Sequence, residues 1–106
     1  LIFDKPVTGG GEYRDIENRL KSIMLPSTVE IMGDFYGCTT LSELYCKSIT
    51  PPVACSGFLD YYYGASTQPY RPIKCTIYVP KESVELYKTA KYWSDYKDQI
   101  VGYYFD

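Results

Sequence analysis

A chain of 106 residues is the size of one domain. Its 11 Lys+Arg against 13 Asp+Glu give a formal net charge of −2, which is no basic footprint for nucleic acid or an anionic membrane. Apolar residues make up 45%, enough for a core and too many for wholesale disorder; the absence of histidine excludes Ser-His and Cys-His nucleophile pairs and any His-ligated zinc.

The chain opens on Leu1-Ile2-Phe3 and an immediate Asp4, too short an apolar run for a signal-peptide core. It lacks an initiator Met, so a processed or excised piece of something longer is expected. No stretch reaches the ~18 apolar residues that a membrane-spanning helix needs, so no membrane insertion is expected. Residues 1–19 read as a degenerate N-terminal segment. Leu20-Lys-Ser-Ile23-Met-Leu25-Pro26 then alternates apolar and polar positions before a proline that stops a strand. Pro26 to Leu41 carries a second alternating pair, Val29 and Ile31, with Gly33 and Gly37 suited to sharp corners and Phe35 and Cys38 turned inward.

Leu41-Ser-Glu-Leu44-Tyr-Cys46 repeats the beginning of the first strand 21 residues later, and Ile77-Tyr-Val79-Pro80 repeats its end. Superposed, Ile23, Leu44 and Ile77 occupy one position, and Leu25, Cys46 and Val79 another. Units this short cannot bury their own apolar faces, whereas stacked units form a continuous core. Between the second and third strands, residues 48–74 have no period and read as a long structured loop insertion, with Tyr61-Tyr62-Tyr63 and Tyr70-Arg71 at its tip.

Residues 75–106 read as the terminal strand and cap. Pro80 to Ala90 has helical spacing at Val84, Tyr87 and Ala90, with Glu82 and Glu85 in the first turns, where the helix dipole favours acids. Trp93 to Tyr96 predicts a second short turn with Ser94 as N-cap, and Ile100 to Phe105 a closing strand. A helix over the last strand covers the end of the array, which otherwise exposes apolar side chains and strand edges.

The order Leu-x-x-Ile-x-Leu-Pro-x-x-Val, Ile, Gly, Phe, Gly-Cys-x-x-Leu-x-x-Leu resembles the BspA-like leucine-rich repeat of bacterial surface proteins. Ser48-Ile-Thr-Pro51-Pro52, Ile77 to Pro80, Ser83-Val84, Tyr87, Trp93 and Ile100-Val101 are similar to the end of such arrays. The likeness covers about residues 20 to 101. Pro26 to Cys38 is shorter than the usual repeat, and the alanine that precedes the phenylalanine is missing. The resemblance implies an α/β fold: a short right-handed leucine-rich-repeat-like solenoid with a parallel strand ladder, a loop insertion and a C-terminal capping helix. It also implies an extracellular or cell-surface location on a bacterial envelope.

If the superposed residues point inward, their neighbours point outward: Ser22 and Met24, Glu43 and Tyr45, Thr76 and Tyr78. Met24, Tyr45 and Tyr78 then form a ladder facing solvent beside Glu43, a platform for sugar rings or extended peptides. The competing reading is that they shield the sheet or pack on the loop. Tyr61, Tyr62, Tyr63 and Tyr70 are a second set of candidate contacts, set against a role as the loop's own small core. Asp34, Glu43 and Asp60 have no spacing that pairs them for hydrolysis, so no catalytic residue, metal or cofactor is assigned.

The four cysteines, separated by seven, eight and nineteen residues, permit three disulfide connectivities that the sequence does not resolve; Cys38 and Cys46 also read as small buried apolar side chains. The expected role is non-enzymatic recognition of a protein or glycan. The alternatives are a purely structural end piece and, at the far end, a small carboxylate hydrolase. A single clean repeat also leaves an open N-terminal end, to be covered by residues 1–19 or by a second copy of the chain.

Overall fold

A computed structural model describes residues 21–33, 35, 40–62 and 70–105. They form a small α/β domain built on a four-stranded, wholly parallel sheet. Its strands are β1 (Ser22–Leu25), β2 (Glu43–Cys46), β5 (Thr76–Pro80) and β6 (Ile100–Tyr103), lying side by side in that order. Inserted between β2 and β5 is an antiparallel pair, β3 (Asp60–Tyr62) and β4 (Tyr70–Pro72). A 3-10 turn at Lys81–Ser83 runs into α1 (Val84–Thr89), and a second 3-10 segment, Trp93–Gln99, leads into β6.

The register follows from period-two alternation punctuated by proline. Ile23 pairs with Leu44, Leu44 with Ile77 and Ile77 with Ile100, so one row of aliphatic side chains crosses the whole sheet. Leu25 and Cys46 form the next row, and Val79 lies in it on β5 opposite Gly102 on β6. Ile23, Leu25, Leu44, Cys46, Ile77 and Val79 are fully buried. A one-residue slip would turn all of them to the opposite face, so burial fixes the register.

Facing this row is a second layer contributed by the connections. Val29, Met32 and Phe35 are buried on the path from β1 to β2. Alongside runs the segment after β2, held by Val53 N–H to Glu30 O at 2.8 Å, Met32 N–H to Val53 O at 2.9 Å and Phe35 N–H to Phe58 O at 2.9 Å. Ile31 and Val53 thereby make an isolated parallel bridge.

The segment expected to bulge away as a loop therefore supplies core. Phe58, Leu59 and Ile73 are buried, and Phe58 packs against Trp93 and Tyr96 with ring centroids 4.9 Å away in both cases. Its tyrosine run hid this contribution, because aromatic residues without a period do not announce which of them turn inward.

The C-terminal elements close the structure through side chains that reach loop carbonyls. Tyr87 OH donates to Ser48 O at 2.5 Å, Trp93 Nε1 to Pro52 O at 2.9 Å, and Ser83 Oγ to Ile49 O at 2.7 Å. Gln99 Nε2 donates to Ile73 O at 3.0 Å and Cys75 O at 2.7 Å. Such bonds satisfy backbone groups that irregular segments cannot pair among themselves.

One capping expectation needs correction. The N-cap of the Trp93–Gln99 segment is Tyr92, at φ 69, with no side-chain capping bond, and Ser94 lies inside the segment. Its N–H instead donates to Ala90 O at 3.0 Å. Tyr92 takes the left-handed conformation that a sharp junction between α1 and the next turn requires. Residues 1–19, Cys38 and Asp34 lie outside the described residues, as does the N-terminal covering role expected of residues 1–19.

Candidate functional site

On the outer face of the sheet the same alternation arranges a different chemistry. Ser22, Glu43 and Thr76 share one register row, and Met24, Tyr45, Tyr78 and Val101 the next. Met24, Tyr45 and Tyr78 are half-buried and Val101 is exposed. Two residues beyond Val101, Tyr103 emerges on the same face.

Strand spacing of ~4.8 Å suits ring stacking. Tyr45 and Tyr78 are stacked, with centroids 4.6 Å apart and planes 12° from parallel. Tyr103 lies 5.4 Å from both, at 71° to Tyr45 and 70° to Tyr78. Equal distance at about 70° places Tyr103 beside the stack, against both rings, and not inserted between them. Phe105 completes the cluster, 4.9 Å from Tyr103 and 6.4 Å from Tyr45.

The tyrosine ladder expected to stand open to solvent is thus partly roofed by the chain's last residues. Tyr103 and Phe105 were not singled out from the sequence, yet a signal was present. Carrying the inward Ile23-Leu44-Ile77 row one strand further to Ile100 puts Tyr103 outward.

Glu43 is the charged member of this surface. Tyr45 OH donates to Glu43 Oε2 at 3.1 Å. Desolvation among the neighbouring rings and this bond to a carboxylate, which favours the protonated phenol, push Tyr45 up to about 12. Among the described residues Glu43 has no cationic partner within ion-pair distance.

The other candidates are placed separately. Tyr61 and Tyr62 lie on β3 and Tyr70 begins β4, with Tyr62 opposite Tyr70 and Tyr61 opposite Arg71. Tyr63 lies outside the described residues. This pair of strands forms its own sheet, apart from the ladder. Asp60 is committed elsewhere: Tyr96 OH donates to its Oδ1 at 2.9 Å and receives Leu59 N–H at 3.2 Å. Burial first, then the carboxylate, raises the Tyr96 phenol well above its ordinary value.

Cys46 and Cys75 are buried thiols, which burial pushes up to about 11 and about 12 respectively, away from thiolate chemistry. Cys46 Sγ lies 3.2 Å from Tyr87 OH.

Among the described residues no group of three or more His, Cys, Asp or Glu is placed to hold a metal, and no helix is long and apolar enough to cross a membrane. Open hollows among the described residues include one of about 480 Å³ beside Lys74, Thr76, Asp98 and Val101, and one of about 570 Å³ between Thr28 and Pro51. Neither is lined by Tyr45, Tyr78 or Tyr103. No protein-family model matches the chain, and no curated protein matches it.

Proposed function

We propose that this chain is a non-enzymatic recognition module whose contact surface is the outer face of the parallel sheet. The observation that carries the reading is the aromatic cluster of Tyr45, Tyr78, Tyr103 and Phe105 beside Glu43. Tyrosine supplies broad, rigid contact area at low entropic cost, and contiguous aromatic surface on a sheet face is characteristic of binding sites.

The coarse architecture supports a repeat origin. Parallel strands recur with Ile23, Leu44, Ile77 and Ile100 in one row, and the connections after β1 and β2 run side by side through the Ile31–Val53 bridge. We read this as the end of a leucine-rich-repeat-like solenoid of the BspA-like kind, with α1 and the Trp93–Gln99 segment as its cap. The location that accompanies this reading is the bacterial cell surface, and the ligand a protein or a glycan, with no role for nucleic acid.

The test is binding to arrays of matrix proteins and glycans by the intact chain and by Tyr45→Ala/Tyr78→Ala. Loss of binding in the double variant is expected; a bound ligand held equally well by it removes the sheet face from the account. A second reading, a purely structural end piece, is favoured by one observation: Tyr103 and Phe105 already pack on the ladder. On that reading the double variant loses stability and the intact chain binds nothing on either array.

A further inference from the structure

We infer that the sheet face recognises a protein partner through an arginine flanked by apolar side chains, and not the face of a sugar ring. The inference rests on the recognition reading above and names its ligand class.

A sugar platform needs an aromatic ring with an open face. Tyr45 and Tyr78 turn a face to each other, 4.6 Å apart and 12° from parallel. In the same row Met24 stands next to Tyr45 on β1, and Val101 next to Tyr78 on β6, so the outer faces of the stacked pair look along the sheet at neighbours. One side of the stack is taken by Tyr103. What the pair offers a ligand is its remaining edges and its phenolic oxygens. An aromatic edge carries the positive side of the ring quadrupole, and a phenol oxygen accepts a hydrogen bond.

Beside the Tyr45 oxygen sits Glu43. A carboxylate accepts about four hydrogen bonds, and Tyr45 OH supplies one. The basic residues nearest in chain position, Lys21 before β1, Lys47 after β2 and Lys74 before β5, make no ion pair with it among the described residues, and Lys21 and Lys74 are exposed. The other acid near this edge of the sheet, Asp98, lines the hollow that contains Thr76 and Val101. Among the described residues, the face therefore sets a carboxylate with no basic partner between Ser22 and Thr76 and beside the tyrosine row, in a chain of formal net charge −2.

A guanidinium is the complementary group. Its planar fork donates two parallel bonds to a carboxylate, its weak hydration tolerates an aromatic border, and arginine is enriched at the energetic centres of protein interfaces. A neutral sugar hydroxyl satisfies the same acceptor without neutralising its charge.

The test is selection of random nonapeptides from a display library on the whole chain, run in parallel with a glycan array. Selected peptides are expected to carry arginine between apolar residues. Affinity for the best of them should fall about tenfold or more on Glu43→Gln, and equally on replacing that arginine by glutamine. Glu43→Gln should keep the wild-type Trp93 emission, which separates lost recognition from lost folding.

Selected peptides without a basic preference, or peptides indifferent to Glu43→Gln yet lost in Tyr45→Ala/Tyr78→Ala, overturn the inference and leave the recognition reading standing. Glycans held through Tyr45 and Tyr78 with no peptide selected do the same. A chain with no ligand that depends on those tyrosines overturns both.

Discussion

Tyr87 ties α1 to the end of β2 and the segment after it, and removing one oxygen from it tests how they are held together. Its ring is fully buried and meets Trp93 edge to face, with centroids 4.8 Å apart. The hydroxyl donates to Ser48 O at 2.5 Å and lies 3.2 Å from Cys46 Sγ. Tyr87→Phe keeps the ring and its packing, and it strands a buried carbonyl.

An unsatisfied buried acceptor costs about 1–3 kcal/mol, which makes about 2 kcal/mol the expected loss. For a domain of this size each kcal/mol moves Tm by about 4–8 °C, so a drop of about 8–16 °C follows. The assay is urea and thermal unfolding followed through Trp93, the single tryptophan, which sits against the altered ring. Cys46→Ala and the double variant complete a cycle whose coupling energy should exceed about 0.5 kcal/mol for groups in direct contact. A Tyr87→Phe chain within about 0.5 kcal/mol of wild type, with an unchanged m-value, would refute the claim that this bond holds α1 to the segment after β2.

Two further predictions concern the buried titratable groups and a close contact on β6. Burial raises the Cys46 and Cys75 thiols from 9.0 to about 11 and about 12, and raises the Tyr87 and Tyr96 phenols above 10.0. The unfolded chain therefore loses protons from these groups before the folded chain does. Their contribution to stability is complete below pH 9 and is lost as pH climbs from about 9 through the folded values; urea midpoints measured from pH 7 to 11 should be flat and then fall, and a midpoint that rises above pH 9 contradicts the burial. At Gly102 an added Cβ would lie 3.1 Å from Val84 Cγ2 and 3.3 Å from Lys81 Cα. Gly102→Ala should cost about 1–2 kcal/mol by overpacking where the 3-10 turn crosses β6, and a urea midpoint equal to wild type would show that the turn yields freely.

The rows of the sheet were legible in the sequence because their cause is local. Alternation with period two, closed by a proline after Leu25 and after Val79, specifies which face Ile23, Leu44 and Ile77 take, and burial of that face leaves a single register. The outward set followed by subtraction, which is why Met24, Tyr45 and Tyr78 could be lined up before any coordinates. The helical spacing of Val84 and Tyr87 was equally local, although only Val84–Thr89 is α-helix and the start is a 3-10 turn.

What was not legible is non-local. Nothing in Phe58-Leu59, next to a run of tyrosines, says that these two are buried while Gly57 turns the chain at φ 67. The partners of Trp93, Tyr87 and Gln99 are backbone carbonyls more than 20 residues away, and a carbonyl has no sequence signature. The site divides along the same line. Its strand-borne members follow from period, whereas its roof, Tyr103 and Phe105, depends on β6 lying beside β5, a pairing across 23 residues. That dependence has a consequence for recognition. The rings that crowd Tyr45 and Tyr78 come from β6 and the residues after it, so the chemistry this face would offer under the proposed reading is set by the β5–β6 pairing as much as by the rows of β1, β2 and β5.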